Sequence, residues 1–300
     1  MTEDKSKHTE TASTTLIDYL KAWPLYLLPQ HLLSRLMLGL TRVRFAPVKN
    51  LHIAWFIRHF KVNMDETPAQ APADYPTFNH FFTRPLKPGV RQVVSGSDEL
   101  ACPVDGKVSQ AGPIRDGMVF QAKGHEYSLE ALLGDASLAR EFGQGSFATL
   151  YLSPRDYHRI HMPCDGTLRE MRHIPGRLFS VNEASVKVVP GLFAINERVV
   201  TVFDTAHGPV ALVLVGAIFV GSIETVWQGV ITPPTRHEPR LWQYPLGQQP
   251  TPTLHRGEEM GRFNMGSTVI AVFANPKIQL DQAIQHGAPV RLGQRLAALG

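Results

Sequence analysis

Apolar residues recur at helical spacing through the first part of the chain and give way later to short unbroken runs, so the sequence has two textures. Leu25, Leu28, Leu32, Leu33, Leu36, Met37 and Leu40 fall three or four apart, with Arg35, Arg42 and Arg44 between or beyond them, as in amphipathic helices. Residues 16–66 therefore read as a helical segment, behind a polar tail over residues 1–15 that lacks the apolar core of a secretory signal and reads as disordered. From about residue 67, Pro and Gly punctuate β-branched and aromatic runs at 104–108, 146–152, 185–189, 198–203, 210–220 and 267–273, which predict strands. Helices are expected there only over 78–82, 128–133 and 138–141. The pattern predicts an α+β protein: a β-rich, sandwich- or barrel-like domain over residues 67–300 preceded by N-terminal amphipathic helices.

Composition changes this picture in one respect. A 43% hydrophobic chain of 300 residues is not disordered as a whole, and two cysteines, Cys102 and Cys164, cannot staple a secreted scaffold. The net charge of +4, however, is concentrated: residues 21–61 carry seven Lys and Arg and no Asp or Glu. Trp23, Tyr26, Trp55 and Phe56 add aromatics that favour a membrane interface. The longest apolar run in this stretch, residues 22–28, is far below the roughly 20 residues needed to span a bilayer. The segment is thus expected to lie on an anionic leaflet rather than cross it, and a membrane fits better than nucleic acid. A peripheral place on the cytoplasmic side of the inner membrane follows as the expected location.

Three segments carry the candidate chemistry. Pro103-Val104-Asp105-Gly106 puts an acid at a turn, where Asp-Gly is also a common hairpin signal. Tyr151-Leu152-Ser153-Pro154-Arg155-Asp156-Tyr157-His158-Arg159-Ile160-His161-Met162-Pro163 crowds two histidines, an aspartate and two arginines together. His158 and His161 with Asp156 or Cys164 offer metal ligands, yet no zinc framework or His-Glu-x-x-His helix is present, and no metal is expected. Structural hydrogen bonding and acid/base work are the other readings; imidazole suits the latter because its ordinary pKa of about 6.5 lets it exchange protons near neutrality. Met265-Gly266-Ser267-Thr268 is weak evidence alone and is not the Gly-x-Ser-x-Gly elbow of hydrolases.

Taken in order, these segments resemble the phosphatidylserine decarboxylase proenzymes, which carry a PVDG-type segment, a YLSPRDYHR-x-HMP segment and a late GST cleavage site. Phe81–Gly89, Gly176–Asn182, Asn196–Arg198 and residues 215–223 extend the likeness, which runs from about residue 20 to about residue 275. The resemblance implies a precursor that cleaves itself between Gly266 and Ser267 into a beta chain, 1–266, and an alpha chain, 267–300. Ser267 would attack the Gly266 carbonyl with His161 as base and Asp105 orienting it, in the logic of a Ser-His-Asp triad. Elimination across the resulting ester would leave a pyruvoyl group in place of Ser267, which would form a Schiff base with the substrate amine and accept the electrons released with CO2.

The same resemblance implies phosphatidylserine in an anionic membrane as substrate, phosphatidylethanolamine as product, His158 as the proton-transfer residue and a homodimer. Arg84, Arg155 and Arg159 are candidates for the headgroup phosphate. Two other classes remain open: a serine hydrolase using Asp105, His161 and Ser267 without self-cleavage, and a non-catalytic lipid-binding module. Either would keep the chain in one piece.

Overall fold

The structure, a computed structural model, describes residues 15–300 except 123–124, 220–221, 234–237, 246–250 and 267. The tail expected to be disordered over residues 1–15 therefore lies outside the described residues but for Thr15, and so does Ser267. The strand that begins at Thr268 organises the fold. Thr268–Phe273 is a run of buried residues, as suits a strand flanked on both sides, and it lies between Ser146–Tyr151 and Val210–Val215, antiparallel to both. Outward from this centre one side continues through Arg198–Thr205 and Gly166–Ile174 to Arg240–Gln243, and the other through Gly106–Pro113 to Pro289–Val290. Thr253–Leu254 pairs with Gly166–Ile174 as a ninth strand, and the sheet does not close into a barrel.

Two smaller sheets frame the site. In one, Arg159–His161 pairs with Glu259–Phe263, so the second motif and the approach to Ser267 share a ladder. In the other, Arg295–Leu299 pairs with Glu99–Ala101 and Ile278–Leu280. Residues after Ser267 thus enter four ladders with residues before it: two made by the central strand, one by Arg295–Leu299 against Glu99–Ala101, and one by Pro289–Val290 against Gly106–Pro113.

The N-terminal helices form as the spacing predicts: α1 (Leu16–Ala22), α2 (Pro24–Leu27), α3 (Gln30–Thr41) and α4 (Ala46–Phe60). α3 turns its polar side inward. Gln30 accepts from the Leu178 N–H at 2.8 Å, and Ser34 Oγ accepts from the Phe219 N–H at 3.2 Å, while Leu32, Leu36 and Leu40 are exposed. α4 inserts Ile53 and Phe56 into a small core with Val62, Tyr75, Phe78, Phe81 and Phe82, separate from the core of the large sheet.

Fifteen of the twenty-three exposed large apolar side chains among the described residues lie between Leu16 and Trp55, Leu27 at 82% and Leu51 at 73%. A surface of that kind marks an interaction face. No helix among the described residues is long and apolar enough to cross a membrane.

Three sequence expectations are corrected. Residues 185–189 are not a strand but belong to the helix Glu183–Val188: Asn182 caps it by accepting from the Ser185 N–H at 2.9 Å, and the buried Gln121 amide donates to the Val186 and Val189 carbonyls at 2.8 Å each. Capping outweighs the β-propensity of the valines. The run 104–108 is a turn followed by a strand that starts at Gly106, and the run 210–220 stops as strand at Val215. Cys102 and Cys164 are free, buried thiols.

Candidate functional site

The site is assembled where the Asp105 turn, the Tyr151–Pro163 segment and the approach to Ser267 meet. Gly106 fixes the first: a Cβ there would lie 2.3 Å from the Tyr151 carbonyl oxygen, closer than any side chain can come, so the turn rests directly on Tyr151. Tyr151 in turn pairs with Thr268. In the second segment Asp156 Oδ2 accepts from both the N–H and the hydroxyl of Ser153 at 2.7 Å, which tightens the chain before the histidines. Asp156 is thereby a turn staple.

His158 is completely buried, and neither ring nitrogen makes a well-aligned hydrogen bond, although the Ser153 and Pro154 backbone acts on the ring. Its ring stacks on Phe82, with centroids 4.1 Å apart and planes at 19°. The other neighbour is Gly266: a Cβ on that residue would lie 3.4 Å from His158 Cε1. Burial, helped by the charge of Arg84, pushes the His158 pKa down to about 3. The ring is therefore neutral at physiological pH, with one N–H to give and one lone pair to take.

That depressed pKa fixes a stability trend. Unfolded, the ring titrates near 6.5; folded, it resists protonation until about pH 3. Between those values the unfolded chain binds the extra proton, so this group's contribution to stability is lost as pH falls from 6.5 towards 3. In a Ser267→Ala background, urea melts at pH 7 and pH 4.5 should show a larger loss with His158 present than with His158→Gln. Equal losses would contradict a neutral buried ring.

His161 is held differently. Its Nδ1 lies 2.7 Å from the Gly257 carbonyl oxygen, which can only accept, so the neutral ring carries its proton there. Nε2 then accepts from the Tyr157 hydroxyl at 3.0 Å. Burial lowers the pKa of His161, and burial raises that of Tyr157.

Asp105 is engaged elsewhere. Its carboxylate accepts from Arg91 Nε at 2.9 Å, from Arg91 Nη2 and from the Leu292 N–H at 2.8 Å. The expected contact in which Asp105 orients His161 is not made in this structure, because the Gly257 carbonyl already takes the Nδ1 proton. Asp105 and His161 are nonetheless neighbours, for the His161 N–H donates to the carbonyl of Pro103, two residues before Asp105.

The arginines separate as well. Arg159 donates to the Thr83 carbonyl at 2.9 Å and pairs with Glu259 at 2.8 Å. Arg84 is buried and donates to the Arg155 carbonyl at 3.0 Å, whereas the Arg155 side chain is exposed. Neither Arg159 nor Arg84 lines the cavity beside Gly266. That cavity, of about 240 Å³, is walled by Phe56 and Phe60 of α4, by Phe82 and Leu152, and by Met265 and Gly266.

Arg91, Tyr157, the Gly257 carbonyl and the Phe82 ring were not singled out by sequence. Tyr157 and Phe82 lie inside quoted motifs but carry no spacing signal for their roles. Arg91 lies just beyond one, and a backbone carbonyl leaves no trace in residue type.

A family model described as Phosphatidylserine decarboxylase matches residues 78–298, and one described as PSD matches residues 20–61. The chain is 51% identical over 285 residues to a protein of Shewanella loihica named phosphatidylserine decarboxylase proenzyme, covering 94% of this chain and 100% of that protein. It is 52% identical over 282 residues to one of Vibrio cholerae with the same name, covering 94% of this chain and 99% of that protein. With a family match over most of the sequence and relatives covered nearly end to end, the chain belongs to the phosphatidylserine decarboxylase family.

Proposed function

We propose that this chain decarboxylates phosphatidylserine to phosphatidylethanolamine at a membrane surface, after cleaving itself between Gly266 and Ser267 and converting Ser267 to a pyruvoyl group. The observation that carries the reading is His158, buried and unpartnered against Gly266. A fully buried imidazole with both nitrogens idle costs stability unless it serves something else. It fits the pyruvoyl group in that it offers a proton donor and acceptor beside Gly266, the residue before the one where that group would stand.

In the first stage the Ser267 hydroxyl adds to the Gly266 carbonyl as His161 takes its proton, and the peptide bond becomes an ester. His161 is suited to this because its lone pair is on Nε2, held there by the Gly257 carbonyl; Tyr157 must give up that lone pair first. Loss of the Ser267 Cα proton and cleavage of its Cβ–O bond free the Gly266 carboxylate. Water then replaces the nitrogen, which leaves as ammonia. The alpha chain stays attached through its four ladders, with Val269 to Phe273 wholly buried.

In the second stage a ketone next to an amide carbonyl supplies the electron sink for the pair left when CO2 departs. His158 supplies or removes the proton at that position. The phenylalanines and leucine of the cavity exclude water around it.

The N-terminal helices fit the substrate. A diacyl lipid stays in its bilayer, and α3 and α4 present leucines and Trp55 outward, with Arg42, Arg44 and Arg58 exposed alongside to meet anionic headgroups. α4 is also a wall of the cavity, so docking brings the headgroup to Gly266. Anionic lipid on the cytoplasmic leaflet of the inner membrane is the surface this charge suits.

The test is vesicle-bound phosphatidylserine incubated with the purified chain, scored for phosphatidylethanolamine and CO2. Leu27→Ser, Leu51→Ser and Trp55→Ser together should weaken vesicle binding at least ~10-fold, since each side chain contributes on the order of 1 kcal/mol when it enters the interface, and should leave self-cleavage unchanged. Retained binding would reject the docking face. Absent decarboxylation by a cleaved, docked protein would reject the substrate.

A further inference from the structure

The hydrogen bonds of Asp105 give a role to a residue that the self-cleavage scheme does not use. Arg91 is almost fully buried along its side chain. It grips Asp105 through Nε and Nη2 and holds Glu66 Oε2 at 2.6 Å through the same Nη2. Glu66 lies in the connection that follows α4, and its carbonyl accepts from the Lys87 N–H at 2.8 Å. The Leu292 N–H, on the alpha-chain side of the cleavage point, closes the remaining side of Oδ1. A two-point guanidinium–carboxylate grip fixes orientation as well as charge.

We infer that Arg91 is a positioning residue for maturation: it holds the Asp105 carboxylate beside the His161–Tyr157 pair instead of against it, and so sets how strongly that carboxylate acts on His161. This deepens the self-cleavage reading and rests on it for its consequence. The charged and titratable groups facing His161 are Arg159 and Glu259, which pair with each other, Tyr157 on Nε2, and Asp105. Asp105 is thus the one carboxylate among them whose partner can be removed without touching the ladder that carries His161. Its charge favours protonated His161, and Arg91, paired with it, carries the opposite charge that offsets it. Freed of Arg91, Asp105 favours the imidazolium more strongly, and a His161 that must be neutral to act as base needs a higher pH.

The test is an NMR titration of His161 in the Ser267→Ala precursor, alone and with R91Q, R91K, D105N or R91Q/D105N. R91Q should raise the His161 midpoint by ~0.5 unit or more, less than the shift of about 1–3 units that a directly contacting charge gives, because neither Arg91 nor Asp105 is hydrogen-bonded to the ring. D105N should lower it, and the rise caused by R91Q should be smaller in the D105N background, where only the loss of the arginine charge remains. R91K keeps the charge but not the two-point grip and should give a smaller rise, so it carries the test if R91Q does not fold. In the cleavable chain the acid limb of the self-cleavage rate should move up with R91Q by the same amount.

An unmoved midpoint in folded R91Q and R91K, or a rise as large without Asp105 as with it, would overturn the inference. A wild-type chain that never cleaves while these midpoints move as stated would reject the self-cleavage reading and leave the coupling standing.

Discussion

His158→Ala is expected to mature into two chains and yet lose decarboxylase activity by ~10²-fold or more, the usual loss when a positioned proton-transfer group is removed. The expectation comes from how the two histidines are held. His161 has a fixed tautomer, with Gly257 taking its Nδ1 proton and Nε2 left as the base. His158 meets Gly266 and Phe82 through ring faces and edges, and neither of its nitrogens makes a well-aligned hydrogen bond, with the Ser153 and Pro154 backbone acting on the ring only weakly against its burial. A neutral imidazole without a well-aligned partner contributes little to the folded precursor at neutral pH beyond packing. Its use lies after cleavage, when a new group stands next to Gly266. Phosphatidylethanolamine release, measured against the fraction of protein cleaved on a gel, separates the stages. Full activity in His158→Ala would remove it from the chemistry, and failure to cleave would move it to the first stage.

Ser267→Ala has the larger effect: no cleavage and no decarboxylation, in a protein that stays folded. Alanine has no hydroxyl to attack Gly266, and the substitution removes only that one oxygen. Thr268–Phe273 keeps its two neighbouring strands in either case. Thermal melting within a few degrees of an uncleaved wild type, with no phosphatidylethanolamine formed, is the expected pair of results. Decarboxylation by Ser267→Ala would show that the chemistry does not depend on this residue.

The sequence announced the parts of the fold whose signal is local. The central strand was legible in Val269-Ile270-Ala271-Val272-Phe273, because a strand covered on both faces needs an unbroken apolar run. The amphipathic character of α3 was legible too, but not which side faces out: that depends on Leu178 and Phe219, far along the chain, which bond to Gln30 and Ser34. The helix over 183–188 was missed because its cap, Asn182, and its end partner, Gln121, outweigh valines that look like strand. At the site, residue types were legible and pairings were not. Asp105, His158 and His161 stand out as chemistry. That Asp105 faces Arg91, and that a backbone carbonyl orients His161, are decided by the meeting of the loops at residues 103 and 257 with the strand that starts at Arg159.

The most direct measurement is denaturing intact mass spectrometry of the purified wild type. Two species split between Gly266 and Ser267, with the smaller lighter than its encoded residues 267–300 by one ammonia, are the expected result. They would establish both the cleavage and the pyruvoyl terminus at once. A single uncleaved chain in a protein that melts cooperatively would contradict the central claim, and reaction of that chain with a serine-directed phosphonate would then favour a hydrolase.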